Sequence, residues 1–200
     1  MIETLRERMP LYRPRKLPVQ LPEAAVLMPF TDERDPDLIL TVRAAAMPTH
    51  AGEVAFPGGK RDPEDTDLLA TALRESEEEV RMPRNRVEML GALSPIPSRY
   101  GMKVTPFVGI VDPNVELVAE PGEIRTIFRV PLSFFLETEP EMAPPIDFYG
   151  KKLCIPSYYY DDKRIWGLTA FMIVELLNHA FDTGIRYEVD ADEQDRGKSA

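Results

Sequence analysis

Phe56-Pro57-Gly58-Gly59-Lys60-Arg61-Asp62-Pro63-Glu64-Asp65, followed by Arg74-Glu75-Ser76-Glu77-Glu78-Glu79-Val80, decides the fold and the chemistry of this 200-residue chain. From Asp67 to Val80 the positions Leu69, Ala72, Leu73, Ser76 and Val80 recur at helical spacing and predict an amphipathic helix. Gly58-Gly59 predicts a sharp turn or a close backbone approach ahead of it. Asp62-Pro63 reads as an N-cap with a proline in the first helical position. The order is therefore loop, tight turn and acidic helix.

Glu75, Glu77, Glu78 and Glu79 crowd the last turns of that helix. Exposed acids there oppose the helix dipole by about 0.3–1 kcal/mol each. Like-charge pairs at helical spacing add about 0.2–0.5 kcal/mol. Glu75, Glu78 and Glu79 stand at i, i+3 and i+4, so their carboxylates share one face while the apolar stripe takes another. A solvated helix behind an ordinary turn explains each piece singly. Taken together, the converging carboxylates make a site for a hard divalent cation such as magnesium, which takes oxygen ligands and shares its shell with water and phosphate.

Outward from this stretch, Ala24–Pro29, Leu38–Arg43, Val87–Leu93, Val104–Val111 and Ile127–Val130 read as strands. Short helices are expected at Ile2–Arg8 and Leu132–Leu136, and Phe148–Tyr160 with Arg164–Trp166 reads as a hairpin. A second periodic helix, Leu168–Phe181, is apolar over a wide face and is expected to pack across a sheet; a homodimer through that face is left open. Strands interleaved with a few helices predict an α/β (α+β) domain with a mixed sheet. The expected organisation is an arm over residues 1–22, one domain over 23–185 and a polar, disordered tail over 186–200.

Hydrophobic residues make up 44% and charged residues 29%, the balance of a globular protein. No apolar run approaches the roughly 20 residues of a membrane helix, and the first residues lack a signal-peptide core. The expectation is a cytoplasmic protein with no membrane and no nucleic-acid partner, because the net charge of −10 gains nothing from counterion release. A phosphate-rich substrate would need bound cations or a basic patch. The single cysteine, Cys154, excludes an internal disulfide and is expected as a buried thiol.

The spacing of Gly59, Arg74, Glu75, Glu78 and Glu79 resembles the Nudix box. Leu40-Thr41-Val42-Arg43-Ala44, Phe56-Pro57-Gly58-Gly59-Lys60 and Ile165-Trp166-Gly167-Leu168-Thr169-Ala170 are similar to the coenzyme A pyrophosphatase branch of that family. The likeness spans roughly residues 23–180. The chain departs from the pattern in one extra residue between Gly59 and Arg74, which moves the first acidic position to Asp65 or Thr66. It also has Arg81 at the box glycine, Ser76 in an apolar slot, and Pro48 beside His50 where the branch carries Arg. A left-handed Arg81 would cost about 1–2 kcal/mol.

The resemblance implies an α/β/α sandwich and metal-assisted hydrolysis of coenzyme A, or an acyl form, to 3′,5′-ADP and 4′-phosphopantetheine. It implies Mg2+ or Mn2+ held by Glu75 and Glu79, with Glu78 a third ligand or water-positioning group and Arg74 orienting the glutamates. Glu123, with Glu116 and Glu120 as rivals, is the candidate base or extra metal ligand from outside the box. Arg43, Arg99 and Lys103 are candidate phosphate contacts, with Gly58 and Gly59 beside the substrate. Tyr158-Tyr159-Tyr160 reads as strand alternation before it reads as an adenine platform. The alternatives are ADP-ribose, NADH or a nucleoside triphosphate as substrate, or a nucleotide sensor without catalysis.

Overall fold

The computed structural model describes residues 1–45, 52–148 and 150–189. In chain order, α1 (Ile2–Arg8) precedes β1 (Glu23–Thr31), β2 (Asp37–Arg43), β3 (Val54–Ala55) and β4 (Gly58–Lys60). Then come α2 (Leu68–Val80), β5 (Glu88–Ala92), β6 (Ile96–Pro97), β7 (Lys103–Val111), β8 (Ile124–Pro131) and α3 (Leu132–Glu137). The chain continues through β9 (Glu141–Met142), β10 (Ile146–Phe148), β11 (Lys151–Leu153), β12 (Pro156–Tyr160), β13 (Lys163–Trp166), α4 (Gly167–Phe181) and β14 (Glu188–Val189).

The main sheet is mixed. β1 runs parallel to β7 from Glu23↔Lys103 to Thr31↔Val111. On its other edge β1 pairs antiparallel with β4 through Ala25↔Gly59 and with β2 through Phe30↔Leu38. β2 continues antiparallel to β8 and β3, and β7 to β5 and β6. Strand alternation gives the sheet two apolar faces. Met28, Phe30, Leu38, Leu40 and Val42 enter a large core with α1, α3 and α4. Leu27 and Ile39 point the other way, to Val80 and Met82 at the end of α2. The result is helices on both sides of a mixed sheet, as expected. Among the described residues no helix is long and apolar enough to cross a membrane.

α2 spans the predicted stretch, but its N-cap is Asp67, whose side chain accepts the Ala70 N–H at 2.8 Å. Asp62 and Pro63 lie one turn earlier, where the Asp65 N–H returns to the Asp62 carbonyl. The cap moved because a turn of chain is needed to bring Asp65 under the helix. At the other end Arg81 takes φ 58° and ψ 29°, a left-handed cap at the box glycine position, and its N–H donates to the Glu77 carbonyl. Ser76 is fully buried and satisfied by the Ala72 carbonyl at 2.6 Å, which lets a hydroxyl occupy an apolar slot.

Three further readings are corrected. The single hairpin expected over 148–166 is two, β10–β11 and β12–β13, because the chain turns at Gly150 (φ 80°) before it turns again at Asp161 (φ 53°). Cys154 is half-buried rather than buried, its N–H donating to the Tyr187 carbonyl. The disordered tail expected over 186–200 starts too early, because Tyr187 packs on Phe171 and Glu188–Val189 pairs with β11; residues from 190 onward lie outside the described residues.

Candidate functional site

The two glycines of the loop serve different neighbours. A Cβ on Gly58 (φ +151°) would stand 2.4 Å from the Ala25 carbonyl oxygen and 2.6 Å from the Val26 Cα. Gly58 therefore lets β4 lie against the backbone of β1. A Cβ on Gly59 would stand 2.3 Å from the Glu75 carboxyl carbon. Gly59 clears the space in which that carboxylate sits, so its signal in the sequence belongs to the helix rather than to a turn.

Arg74 organises the near half of the site. Its Nε and Nη2 donate to the two oxygens of Asp65, both at 3.0 Å, and Nη2 also donates to the Lys60 carbonyl at 3.1 Å. Nη1 reaches Glu75 at 3.0 Å and Glu78 at 3.1 Å. Asp65 further accepts from the Thr71 hydroxyl at 2.8 Å and the Asp62 N–H at 3.0 Å. These partners, Arg74 first, hold the Asp65 carboxyl well below the usual carboxylate range, and Asp65 in turn raises Arg74.

Glu79 occupies the far half in the opposite condition. It is 2% exposed. Its carboxylate accepts one peptide N–H, from Gly58 at 3.0 Å, and lies 3.4 Å from Arg43 Nη1. Burial pushes its carboxyl up to about 7, against the lowering by Gly58 and Arg43 and with repulsion from Glu75 and Glu123. Glu75 is raised in the same sense, first by burial and then by Glu78 and Glu123, with Arg74 opposing. Arg43 Nε is buried and, among the described residues, has no hydrogen-bond partner.

Three carboxylates thus repel one another at the foot of a glycine loop, under-neutralised by the chain itself. Among the described residues no group of three or more acidic, histidine or cysteine side chains is placed to hold a metal ion by itself. The donors instead fit a hard cation that keeps water and phosphate oxygens in its shell, as magnesium does. A divalent charge here would relieve the burial of Glu79, and a bound phosphate would give the Arg43 Nε an acceptor.

The structure brings Arg43, Gly58, Gly59, Arg74, Glu75, Glu78 and Glu79 into one site, with Glu78 at its exposed rim. Glu123 is exposed beside the site: its carbonyl accepts the Ala44 N–H at 2.7 Å, and its charge acts on both Glu75 and Glu79. Of its rivals, Glu120 pairs with Arg81 at 3.7 Å and Glu116 lies in a separate cleft beside Met82 and Pro83. Lys103 is not at the site. It pairs with Glu23 at 2.8 Å, beside a cleft of about 810 Å³ lined by Leu17–Glu23, Lys60 and Arg61. Arg99 stands at one remove, paired with Glu53 at 3.1 Å. Pro48 and His50 lie outside the described residues. Asp65 was legible only as a displaced box position; nothing in its own neighbourhood announced the Arg74 clamp.

Comparison with known proteins fits this geometry. A NUDIX domain model matches residues 21–147. The "Uncharacterized Nudix hydrolase NudL" of Photorhabdus laumondii subsp. laumondii is 43% identical over 163 residues, covering 82% of this chain and 87% of that protein. The protein of the same name in Citrobacter koseri is 42% identical over 166 residues, covering 82% of this chain and 84% of its own. Among solved structures, a MutT/nudix family protein from Enterococcus faecalis superposes with a TM-score of 0.51 at 15% identity, over 84% of this chain and 66% of that one, a likeness of fold alone. Nudix hydrolases use divalent metal ions. By its domain match and its relatives, this chain belongs to the Nudix family of hydrolases.

Proposed function

We propose that this protein hydrolyses the diphosphate linkage of coenzyme A, or of an acyl-coenzyme A, releasing 3′,5′-ADP and 4′-phosphopantetheine or its acyl form. The observation that carries the chemistry is Glu79, buried at 2% exposure with its carboxyl pushed up to about 7 beside Glu75 and Glu123. A group so placed supports a reading as a cation ligand. The substrate rests on the likeness of Leu40–Ala44 and Phe56–Lys60 to the coenzyme A branch.

Glu75 and Glu79 would hold Mg2+ or Mn2+, with Glu78 as a third ligand or a group that positions water. The cation neutralises the diphosphate and makes water a better nucleophile at neutral pH. Arg74, braced on Asp65, keeps Glu75 and Glu78 aligned. Arg43 spans Glu79 through Nη1 and offers Nε to a phosphate oxygen. Glu123, exposed beside these carboxylates, would accept the proton that the attacking water gives up. Lys103, engaged by Glu23, has no part in this reading.

The test is product analysis after incubation with coenzyme A and Mg2+ or Mn2+, alongside Glu79→Gln. Metal-dependent release of 3′,5′-ADP, lost in the variant, is expected. Cleavage of ADP-ribose or NADH with coenzyme A left intact would overturn the substrate and keep the chemistry. No cleavage of any diphosphate would overturn both and favour a sensor.

A further inference from the structure

Two separate parts of the chain bring rings and guanidinium groups together beyond Glu53. In the β12–β13 hairpin Tyr159 lies opposite Arg164, and Ser157 opposite Trp166. Alternation sends Tyr158 and Ile165 into the core and leaves Tyr159, Arg164 and Trp166 on the other face. Arg164 lies 5.2 Å from the Trp166 ring centre and 5.8 Å from that of Tyr159. From the loop before β7, Arg99 lies 5.8 Å from the Trp166 ring and 4.8 Å from Tyr100. Trp166 is thus within reach of two guanidinium groups.

Four guanidinium–ring contacts share these five side chains, each within the roughly 6 Å over which a ring face attracts a cation. The concentration calls for a cause beyond an ordinary surface. Two arginines reach the same Trp166 ring: Glu53 holds Arg99, while Arg164 donates to the Ser157 hydroxyl at 3.2 Å. Among the described residues Arg164 has no ion-pair partner. The cluster is also tied to the carboxylate site. The Glu53 carbonyl accepts the Arg43 N–H at 3.0 Å, and the Val54 carbonyl accepts the Thr169 hydroxyl at 3.0 Å just past the hairpin.

We propose that Trp166, Arg99 and Arg164 form the subsite for the nucleoside 3′-phosphate end of the substrate, with the base on the Trp166 ring and the third phosphate between the two arginines. Aromatic faces stack bases, and guanidinium forks match phosphate oxygens. The subsite rests on the reading of the substrate as a nucleoside diphosphate derivative. It assigns the choice of coenzyme A over its dephospho form to Arg99 and Arg164.

Trp166 is the single tryptophan, so its fluorescence reads the subsite without turnover. Titration of the wild-type protein with 3′,5′-ADP should quench it saturably. Arg99→Ala and Arg164→Ala should weaken that binding about tenfold, and 5′-AMP should bind the wild type as weakly. The same variants should raise KM for coenzyme A about tenfold with kcat within about twofold, and leave KM for dephospho-coenzyme A little changed. Absence of quenching by 3′,5′-ADP, or variants with wild-type Kd and KM, would overturn the subsite. Quenching without hydrolysis of coenzyme A would keep the subsite and sink the substrate reading; hydrolysis without quenching would do the reverse.

Discussion

Asp65 and Glu79 are both buried acids packed along α2, at 9% and 2% exposure, and their surroundings are opposites. Asp65 receives two bonds from Arg74, one from Thr71 and one from a peptide N–H, and its carboxyl is held low. Glu79 receives one peptide N–H and a long contact from Arg43, and its carboxyl is pushed up to about 7. The first arrangement completes itself and works as a brace. The second leaves buried charge only partly compensated, which a fold selected for stability alone would avoid. The difference separates the part of the box that holds the helix from the part that, in the proposed reading, would take a cation.

Breaking the two acids separately should give unlike results. Glu79→Gln should lower kcat by about 100- to 1000-fold, the scale of losing one group that stabilises charge in the transition state, with no loss of thermal stability. Steady-state kinetics at saturating Mg2+ checks this. Asp65→Asn should act first on stability, by about 2–3 kcal/mol in urea unfolding, since it leaves Arg74 without its principal partner. Equal effects of both substitutions on kcat and on stability would erase the distinction.

The adjacent glycines sharpen the same division. Gly58→Ala should destabilise by about 1–3 kcal/mol, because it strains a residue at φ +151° against the β1 backbone. Gly59→Ala should leave the fold within about 1 kcal/mol, since the atom it meets is the end of a flexible side chain. It should nonetheless weaken Mg2+-dependent activity about tenfold or more by displacing the Glu75 carboxylate. Denaturation and metal titration on both variants read the two effects apart.

The smallest effect is the pH dependence of stability without metal. The Glu79 carboxyl rises from 4.5 to about 7 on folding, so the folded state keeps a proton that the unfolded chain has lost. Stability therefore falls as pH rises through that window, with the penalty absent below pH 4.5 and complete above about 7. Glu79→Gln should be more stable than wild type by about 1–2 kcal/mol at pH 8 and by nothing at pH 4.5. Asp65 has the opposite sign: its lowered carboxyl stabilises above the ordinary aspartate range, a contribution lost only in acid.

The strong periodic signals were legible in the sequence. α2, α4 and the strands β1, β2, β7 and β8 follow from apolar patterning, and the carboxylate face follows from the i, i+3, i+4 spacing. What local rules could not give was set by distant partners. Asp62-Pro63 satisfies every requirement of a cap, yet Asp67 caps α2 because Asp65 is drawn to Arg74. The spacing puts Glu79 on the carboxylate face with Glu75 and Glu78, but its burial depends on β4 lying over it, with the Gly58 N–H donated to its carboxylate. β3 and β4, of two and three residues, are too short to carry a period. Lys103 looked like a phosphate contact beside a loop, but its strand register with Glu23 takes it into another ion pair.

The most direct test is Mn2+ binding followed by electron paramagnetic resonance, on wild type and Glu79→Gln at pH 8 and pH 6. Wild type is predicted to bind the ion at pH 8 and several-fold more weakly at pH 6, as Glu79 takes up its proton, whereas Glu79→Gln binds weakly at both. A variant that binds Mn2+ as tightly as wild type, with the same pH dependence, would contradict the assignment of Glu79 as the acid held for a cation.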